Sequence, residues 1–232
     1  VYEALLEGAK HNLKNCWWII DYNRQSLDGI VFEKLFEKII NLFELMDWNV
    51  EILKYGSKLQ KLKQSKSGRK ILKWIDDCPN DLFSALTYQG GKDWRKTLLE
   101  AFSNDQDTVN LIQSFNDQEL NDLMTNLAGH DAETLEIAFS KHINSDKPTC
   151  FICYTVKGFG LPLAGHKDNH SGIMNNDQFN DYKKLMKIRE GHEWNKTEGI
   201  ELNINELNSI IKSNPLSKCN REFSEVIPII PL

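Results

Sequence analysis

The chain has 232 residues, a formal charge of −5 at pH 7, and a composition that is 41% hydrophobic and 26% charged. This is the composition of an ordinary globular protein, and its length is sufficient to bury a core without disulfides or a structural metal. We expect neither nucleic acid nor a membrane as a partner, because the chain is mildly acidic and no apolar run approaches the ~20 residues that span a bilayer.

Three apolar runs predict the strands of the fold. They cover residues 15–23, 47–56 and 148–156, and the first is continuously apolar between polar ends, which is typical of a strand covered on both faces of a parallel sheet. Between the first two runs, apolar residues from Phe32 to Met46 recur at helical spacing. The alternation of strands and helices predicts an α/β fold with a doubly wound, mostly parallel sheet flanked by helices.

The stretch from about residue 58 to 142 has helical spacing throughout and predicts a helical insertion between the second and third strands. Residues 116–119 (NDQE) have the form of a capping box, which marks the start of one of these helices. We expect residues 1–190 to form one domain that contains this insertion. The weaker pattern of residues 191–232 indicates a linker.

Both ends of the sequence suggest that it belongs to something longer. The first residues, through Leu6, already have the spacing of a helix interior without a cap, and the first methionine is Met46. The last residues, 226–232, are apolar and extended. We therefore expect this chain to be a fragment.

The five cysteines do not have the spacing of a disulfide framework. Cys150 and Cys153 form a C-x-x-C, but they lie inside an apolar strand-like run, whereas redox and zinc sites need an exposed turn. We expect buried, reduced cysteines and a cytoplasmic protein.

Two polar clusters follow predicted strands, at the ends where ligands bind to parallel sheets. In the first, residues 21–25, the Asn23 carboxamide and a backbone carbonyl at Gln25 are hard oxygen donors that suit magnesium. The alternative is that Asn23 and Gln25 are turn residues whose side chains bond the local backbone.

The second cluster extends from Lys157 to His170. Gly158 and Gly160 allow a close approach of the backbone to a ligand, and His166 and His170 lie on a predicted loop. These histidines either contact a ligand or belong to an inert loop. A metal-binding pair is less favoured, because two histidines four residues apart meet on one face of a helix and this segment is a loop.

These clusters carry a resemblance to a known family. Residues 18–29 (WIIDYNRQSLDG) resemble the second half of the thiamin-diphosphate motif, and their N-x-Q-x-L-D-G tail is similar to that of homodimeric, bacterial-type pyruvate dehydrogenases of the transketolase-like superfamily. Similar landmarks follow in order: residues 129–131 (GHD), residues 155–160 (TVKGFG) and a loop that ends at His170. Residues 216–223 resemble the segment before the second catalytic domain of the family.

The resemblance implies a role for each matching residue. Asn23 would bind magnesium through its side chain and Gln25 through its main-chain carbonyl, and both would help to hold thiamin diphosphate. Lys157 would lie near the cofactor or the substrate. His170 would be the catalytic residue, which binds and orients the substrate. The cofactor supplies the electron sink, and the protein supplies placement and electrostatics.

The resemblance also implies partners. The substrate would be pyruvate, and the acetyl group would pass to the lipoyl domain of dihydrolipoyl acetyltransferase. The full-length protein would be a homodimer with active sites at the subunit interface. We therefore expect an exposed apolar face on this chain and no activity from the chain alone.

The sequence departs from the family in four respects. The Gly-Asp-Gly of the cofactor motif would precede the first residue, and the activating glutamate belongs to the second catalytic domain; both are absent. Asp21 stands where the family more often has asparagine. Residues 161–163 (LPL) replace a more polar stretch, which leaves the identity of the substrate more open than that of the cofactor.

Two alternative functions remain open. One is a transketolase or another 2-oxoacid dehydrogenase, which would share the architecture. The other is a non-catalytic interaction domain that retains the fold.

Overall fold

The computed structural model describes residues 2–26, 29–30 and 35–215. These residues fall into two compact units, the first of which ends at Met174 and the second of which begins at Asn175. The predicted turn residues Leu27 and Asp28, the start of the predicted helix at Phe32, and the segment from residue 216 onward lie outside the described residues. The domain boundary expected near residue 190 stays a prediction.

The first unit contains an open, parallel, three-stranded sheet, which confirms the predicted α/β class. Its strands are β1 (Trp17–Tyr22), β4 (Asn49–Leu53) and β5 (Thr149–Tyr154), in the order β1-β5-β4. A short antiparallel pair, β2 (Gln25–Ser26) and β3 (Gly29–Ile30), follows β1.

Helices flank the sheet and fill the long segment between β4 and β5. The helices of the described residues are α1 (Tyr2–Lys10), α2 (Leu35–Leu45), α3 (Ser57–Lys61), α4 (Lys66–Asp77), α5 (Asn80–Gln89), α6 (Gly91–Ala101), α7 (Gln106–Gln113), α8 (Asp117–Met124), α9 (Ala132–His142), α10 (Asn176–Leu185) and α11 (Ile204–Ser213). The seven helices α3 to α9 form the predicted helical insertion. None of the described helices is long and apolar enough to cross a membrane.

The central strand β5 is buried along its whole length, because helices pack against both of its faces. On one face, Trp18 packs edge-on against Phe43 of α2, with ring centroids 5.5 Å apart. On the other face, Phe151 packs against Phe139 of α9 at 5.0 Å. Burial on both faces is therefore found for β5, but the prediction of it for β1 is wrong, because Trp17 and Ile19 of that strand are 39% and 55% exposed.

The insertion has its own apolar centre, which lies around Trp94 of α6. This side chain is fully buried and packs against Phe83 of α5, with ring centroids 5.2 Å apart, and against Trp74 of α4 at 6.2 Å. The predicted capping box begins α8: Asn116 Oδ1 accepts a hydrogen bond from the Glu119 N–H at 2.9 Å, and Glu119 accepts one from the Asn116 N–H at 2.8 Å.

Asp131 joins three parts of the insertion. One carboxylate oxygen accepts the Thr134 N–H at 2.9 Å and caps α9, and the other accepts the Ser57 N–H at 3.1 Å, the Ser57 hydroxyl at 2.8 Å and Asn126 Nδ2 at 3.1 Å. Burial by itself raises the pKa of Asp131, but these hydrogen bonds outweigh it and hold the pKa below its usual range.

The cysteines at 150 and 153 are buried and free. They are three positions apart on β5, so their side chains lie on opposite faces of the sheet and cannot pair. Burial raises the pKa of Cys150 to about 12 and that of Cys153 to about 11, which keeps both thiols protonated and unreactive.

The second unit contains two sets of ion pairs. Lys183 of α10 contacts Glu190 at 2.6 Å and Glu193 at 2.9 Å, and Arg189 makes a two-point contact with Glu198 at 2.5 and 3.0 Å. Helix α11 lies in the segment that the sequence analysis predicts as a linker.

We predict that Asp131→Asn lowers the free energy of unfolding by ~1–3 kcal/mol, because the amide cannot accept all the donors that the carboxylate accepts. The folded-state pKa of Asp131 lies below its unfolded value, so its contribution is complete above about pH 4 and is lost as the pH falls. Urea unfolding between pH 7 and pH 3 should therefore show a smaller acid-induced loss in the variant than in the parent.

Asp107→Asn is the matched control, since Asp107 is an exposed acidic residue in the first turn of α7. An equal effect of the two substitutions at neutral pH would contradict the role assigned to Asp131.

Candidate functional site

A narrow cleft lies where β1 and β5 end. Its walls come from the segment after β1, the segment after β5, helix α5 of the insertion, and the loop at residue 165. The described residues that line it are Asn23, Arg24, Gln25, Phe83, Ser84, Thr87, Thr155, Val156, Lys157 and Gly165. Three of the four predicted site residues, Asn23, Gln25 and Lys157, thus share one cleft.

Asn23 adopts the turn that the sequence analysis weighs as an alternative to metal binding. Its Oδ1 atom accepts a hydrogen bond from the Gln25 N–H at 3.0 Å, which is an Asx turn. A carbonyl oxygen has two lone pairs, so this hydrogen bond leaves one of them for another partner. The local turn and a ligand role are therefore compatible.

Gln25 connects the end of β1 to the loop after β5. Its Nε2 atom donates to the Gly165 carbonyl at 3.3 Å, while its Oε1 atom is buried without a hydrogen-bond donor. A buried amide oxygen without a partner is costly, so this atom is suited to accept from a ligand or a bound water.

The loop after β5 folds back onto its own start. The Lys157 carbonyl accepts hydrogen bonds from Asn169 Nδ2 at 2.6 Å and from the Gly165 N–H at 3.3 Å. Gly165 has φ = +77°, and a Cβ there would lie 2.6 Å from the Ser84 carbonyl oxygen. A glycine is therefore needed for the loop to close against α5, and this contact places the half-buried Lys157 at the cleft.

The two histidines of this loop lie elsewhere. His166 accepts a hydrogen bond at Nδ1 from the Asp168 N–H at 3.1 Å, and its ring lies 4.6 Å from that of Tyr88. His166 therefore caps the short 3₁₀ helix Lys167–His170. His170, the predicted catalytic residue, is exposed at the end of that helix and does not line the cleft.

Arg24 is a cleft residue that the sequence analysis does not single out. It is only 5% exposed, and its guanidinium carbon lies 3.9 Å from the centre of the Phe83 ring. Its backbone is in the left-handed region, with φ = +63°. Burial lowers the pKa of Arg24 below its usual value.

His130 supports the end of β5 from behind. Its Nε2 atom accepts a hydrogen bond from the Val156 N–H at 2.8 Å, and its ring stacks on Phe159 with centroids 4.0 Å apart. Burial lowers the pKa of His130, in keeping with an unprotonated Nε2 that acts as an acceptor. The neighbouring Gly129 is required, since a Cβ would lie 2.4 Å from a Thr155 methyl group.

The cleft offers two oxygen atoms of the kind that a magnesium–diphosphate site uses. Asn23 offers a carboxamide oxygen and Gln25 a main-chain carbonyl, whereas magnesium takes six oxygen ligands. Among residues 2–26, 29–30 and 35–215, no three His, Cys, Asp or Glu side chains could hold a metal ion together. Further ligands would have to come from the diphosphate and from outside the described chain, and the metal roles of Asn23 and Gln25 stay predictions.

No protein-family model matches the chain. It is similar to curated proteins named pyruvate dehydrogenase E1 component. The identity is 28% over 170 residues for the protein of Buchnera aphidicola subsp. Schizaphis graminum, 25% over 169 residues for that of Escherichia coli (strain K12), and 28% over 167 residues for that of Haemophilus influenzae. The matches cover 72%, 72% and 71% of this chain.

The chain is therefore a distant relative of pyruvate dehydrogenase E1 components. It spans only 18% of the length of each of these three relatives.

We predict that Gly165→Ala loosens the loop from α5, because the added methyl group meets the Ser84 carbonyl and the φ angle is unfavourable for alanine. Gly160→Ala is the matched control, since Gly160 has φ = +80° but has open space where its Cβ would lie. Gly165→Ala should lower the free energy of unfolding by ~1–3 kcal/mol more than the control. It should also speed tryptic cleavage after Lys167, and equal stability and cleavage in the two variants would contradict the contact.

Proposed function

We propose that this chain is part of a thiamin-diphosphate-dependent pyruvate dehydrogenase, an oxidoreductase that decarboxylates pyruvate and passes the acetyl group to a lipoyl group of dihydrolipoyl acetyltransferase. The observation that carries the proposal is the similarity to proteins named pyruvate dehydrogenase E1 component over 72% of the chain. The position of the cleft supports it, because open parallel sheets bind ligands beyond the carboxyl ends of their strands.

In this proposal the chain binds and orients the cofactor. Asn23 Oδ1 and the Gln25 carbonyl bind magnesium, which offsets the charge of the diphosphate. Lys157 contributes a positive charge to the same cleft. When bound, thiamin diphosphate supplies the electron sink for decarboxylation. His170 has the proposed task of orienting the substrate, and the short 3₁₀ helix would have to approach the cleft for it to do so.

We further propose that the intact protein is a cytoplasmic homodimer. Exposed apolar side chains on the edge strand β1 support an interface with another part of the intact protein. Trp17 is 39% exposed and Ile19 is 55% exposed. Large exposed apolar side chains that lie on one face of a strand are typical of surfaces that another element covers.

The proposed activity is tested on the intact protein that contains this sequence. With thiamin diphosphate and magnesium, we expect decarboxylation of pyruvate and reductive acetylation of a lipoyl domain. Parallel assays with 2-oxoglutarate and with a ketose phosphate separate the alternatives. Turnover of one of these compounds without turnover of pyruvate would assign a different substrate, and binding of no cofactor would favour a non-catalytic domain.

Asn23→Ala tests whether the Asn23 side chain contributes to cofactor binding. We predict that it weakens magnesium-dependent binding of thiamin diphosphate by ~10-fold or more, the usual scale for loss of a group that holds a metal. Asn195→Ala is the control, since Asn195 forms a similar turn by accepting the Thr197 N–H at 3.0 Å in the second unit. If isothermal titration gives the same cofactor affinity for both variants, Asn23 is a turn residue only.

A further inference from the structure

One residue that lines the cleft, Arg24, is a buried cation with two unpartnered nitrogen atoms. The Nε and Nη2 atoms of Arg24 are buried and have no hydrogen-bond partner. Stacking on Phe83 does not satisfy them, because an aromatic face attracts the flat side of a guanidinium while its N–H groups point outward in the plane.

Arg95 in the same chain shows the usual way of burying an arginine. Its Nε atom donates to Asp117 at 2.6 Å, and its other two nitrogens donate to the Ile112 carbonyl at 3.0 Å and the Phe115 carbonyl at 2.6 Å. Arg24 is more deeply buried and has none of these acceptors on Nε and Nη2. Since a buried charge needs compensation, the group that compensates Arg24 is expected from outside the described chain.

The free atoms specify the chemistry of that group. Nε and Nη2 lie on the same edge of the guanidinium, and together they present two parallel N–H donors, which match a carboxylate or a phosphate. Of the described residues that line the cleft, none is an aspartate or a glutamate, and Lys157 adds a second positive charge. The lining itself therefore carries two cations, and the carboxylate of Asp21, which accepts a hydrogen bond from the lining residue Thr155, lies beside it.

We propose that Arg24 binds an oxyanion of the ligand through a two-point contact in this cleft, a phosphate or a carboxylate group. The inference deepens the proposed function, because a diphosphate and a 2-oxo acid each carry such a group. It rests on the geometry of Arg24, and direct binding tests it without any turnover.

The experiment uses the intact protein, with Arg24→Met and Arg24→Lys. Methionine keeps most of the length and the apolar stem of arginine but lacks the charge. Lysine keeps the charge but lacks the two parallel N–H donors of the guanidinium. Arg69→Met is the control for loss of one positive charge, because Arg69 is an exposed arginine of α4. Isothermal titration measures the affinity for two probes, inorganic pyrophosphate and pyruvate, and thermal unfolding measures Tm with and without each probe.

We expect Arg24→Met to lower the affinity for one of the two probes by about 10-fold or more, which is the effect of losing a hydrogen bond to a charged group. Arg24→Lys should recover only part of the affinity, and Arg69→Met should bind as the parent does. Loss of pyrophosphate binding would assign the oxyanion to a phosphate ligand, and loss of pyruvate binding would assign it to a carboxylate. Without a probe, Arg24→Met should have a Tm equal to or above that of the parent, because a buried, uncompensated charge is removed.

Two results would overturn the proposal. One is unchanged affinity for both probes in Arg24→Met. The other is a probe affinity that falls equally in Arg24→Met and Arg69→Met, which would show an effect of net charge alone. If unchanged affinity came with a lower Tm in the absence of probe, Arg24 would be a packing residue on Phe83. Failure of the pyruvate dehydrogenase assay would leave the binding result standing, so the two proposals fail separately.

Discussion

The parallel pairing of β1 with β5 is the interaction on which the rest of the first unit depends. Its register aligns Tyr22 with Tyr154, so both strands end at the same level of the sheet. The two polar segments that follow must then leave the sheet side by side, which creates the cleft. Because β5 is buried on both faces, a shift of one residue would exchange its two sets of side chains, and the register is therefore strongly specified.

The cleft depends equally on the helical insertion, which provides its outer wall. Phe83 of α5 covers the guanidinium of Arg24, and the backbone at Ser84 meets the loop at Gly165. The insertion therefore forms part of the candidate site. It removes water from a charged group at the end of the sheet, which strengthens any electrostatic interaction made there.

The features that the sequence predicts well are those with a local physical cause. The three strands follow from apolar runs, the insertion from helical spacing, and the start of α8 from the reciprocal bonds of Asn116 and Glu119. Helix α11 is missed although its sequence contains helix signals: Asn203 and Glu206 form a capping box at its start, and apolar residues from Ile204 to Ile211 recur at helical spacing.

The site is less predictable because its side chains depend on distant contacts. Asn23, Gln25 and Lys157 can be inferred to lie together, since each follows a strand of one parallel sheet. The burial of Arg24 cannot, because it requires Phe83 from a helix whose packing the local sequence does not specify. The exposed position of His170 follows from turns within its loop, and such turns produce no periodic pattern in the sequence.

The hydrogen bond between Gln25 and Gly165 joins residues that are 140 positions apart. On a ribosome, the first wall of the cleft therefore emerges long before the last. Strands β1 and β4 are synthesised early, but in the sheet of the described residues each pairs with β5 and not with the other, so both lack their partner until β5 has been synthesised. Pairings of such long range form slowly and leave strand edges open to other chains. The three-stranded sheet of the described residues therefore cannot form until Tyr154 has been synthesised.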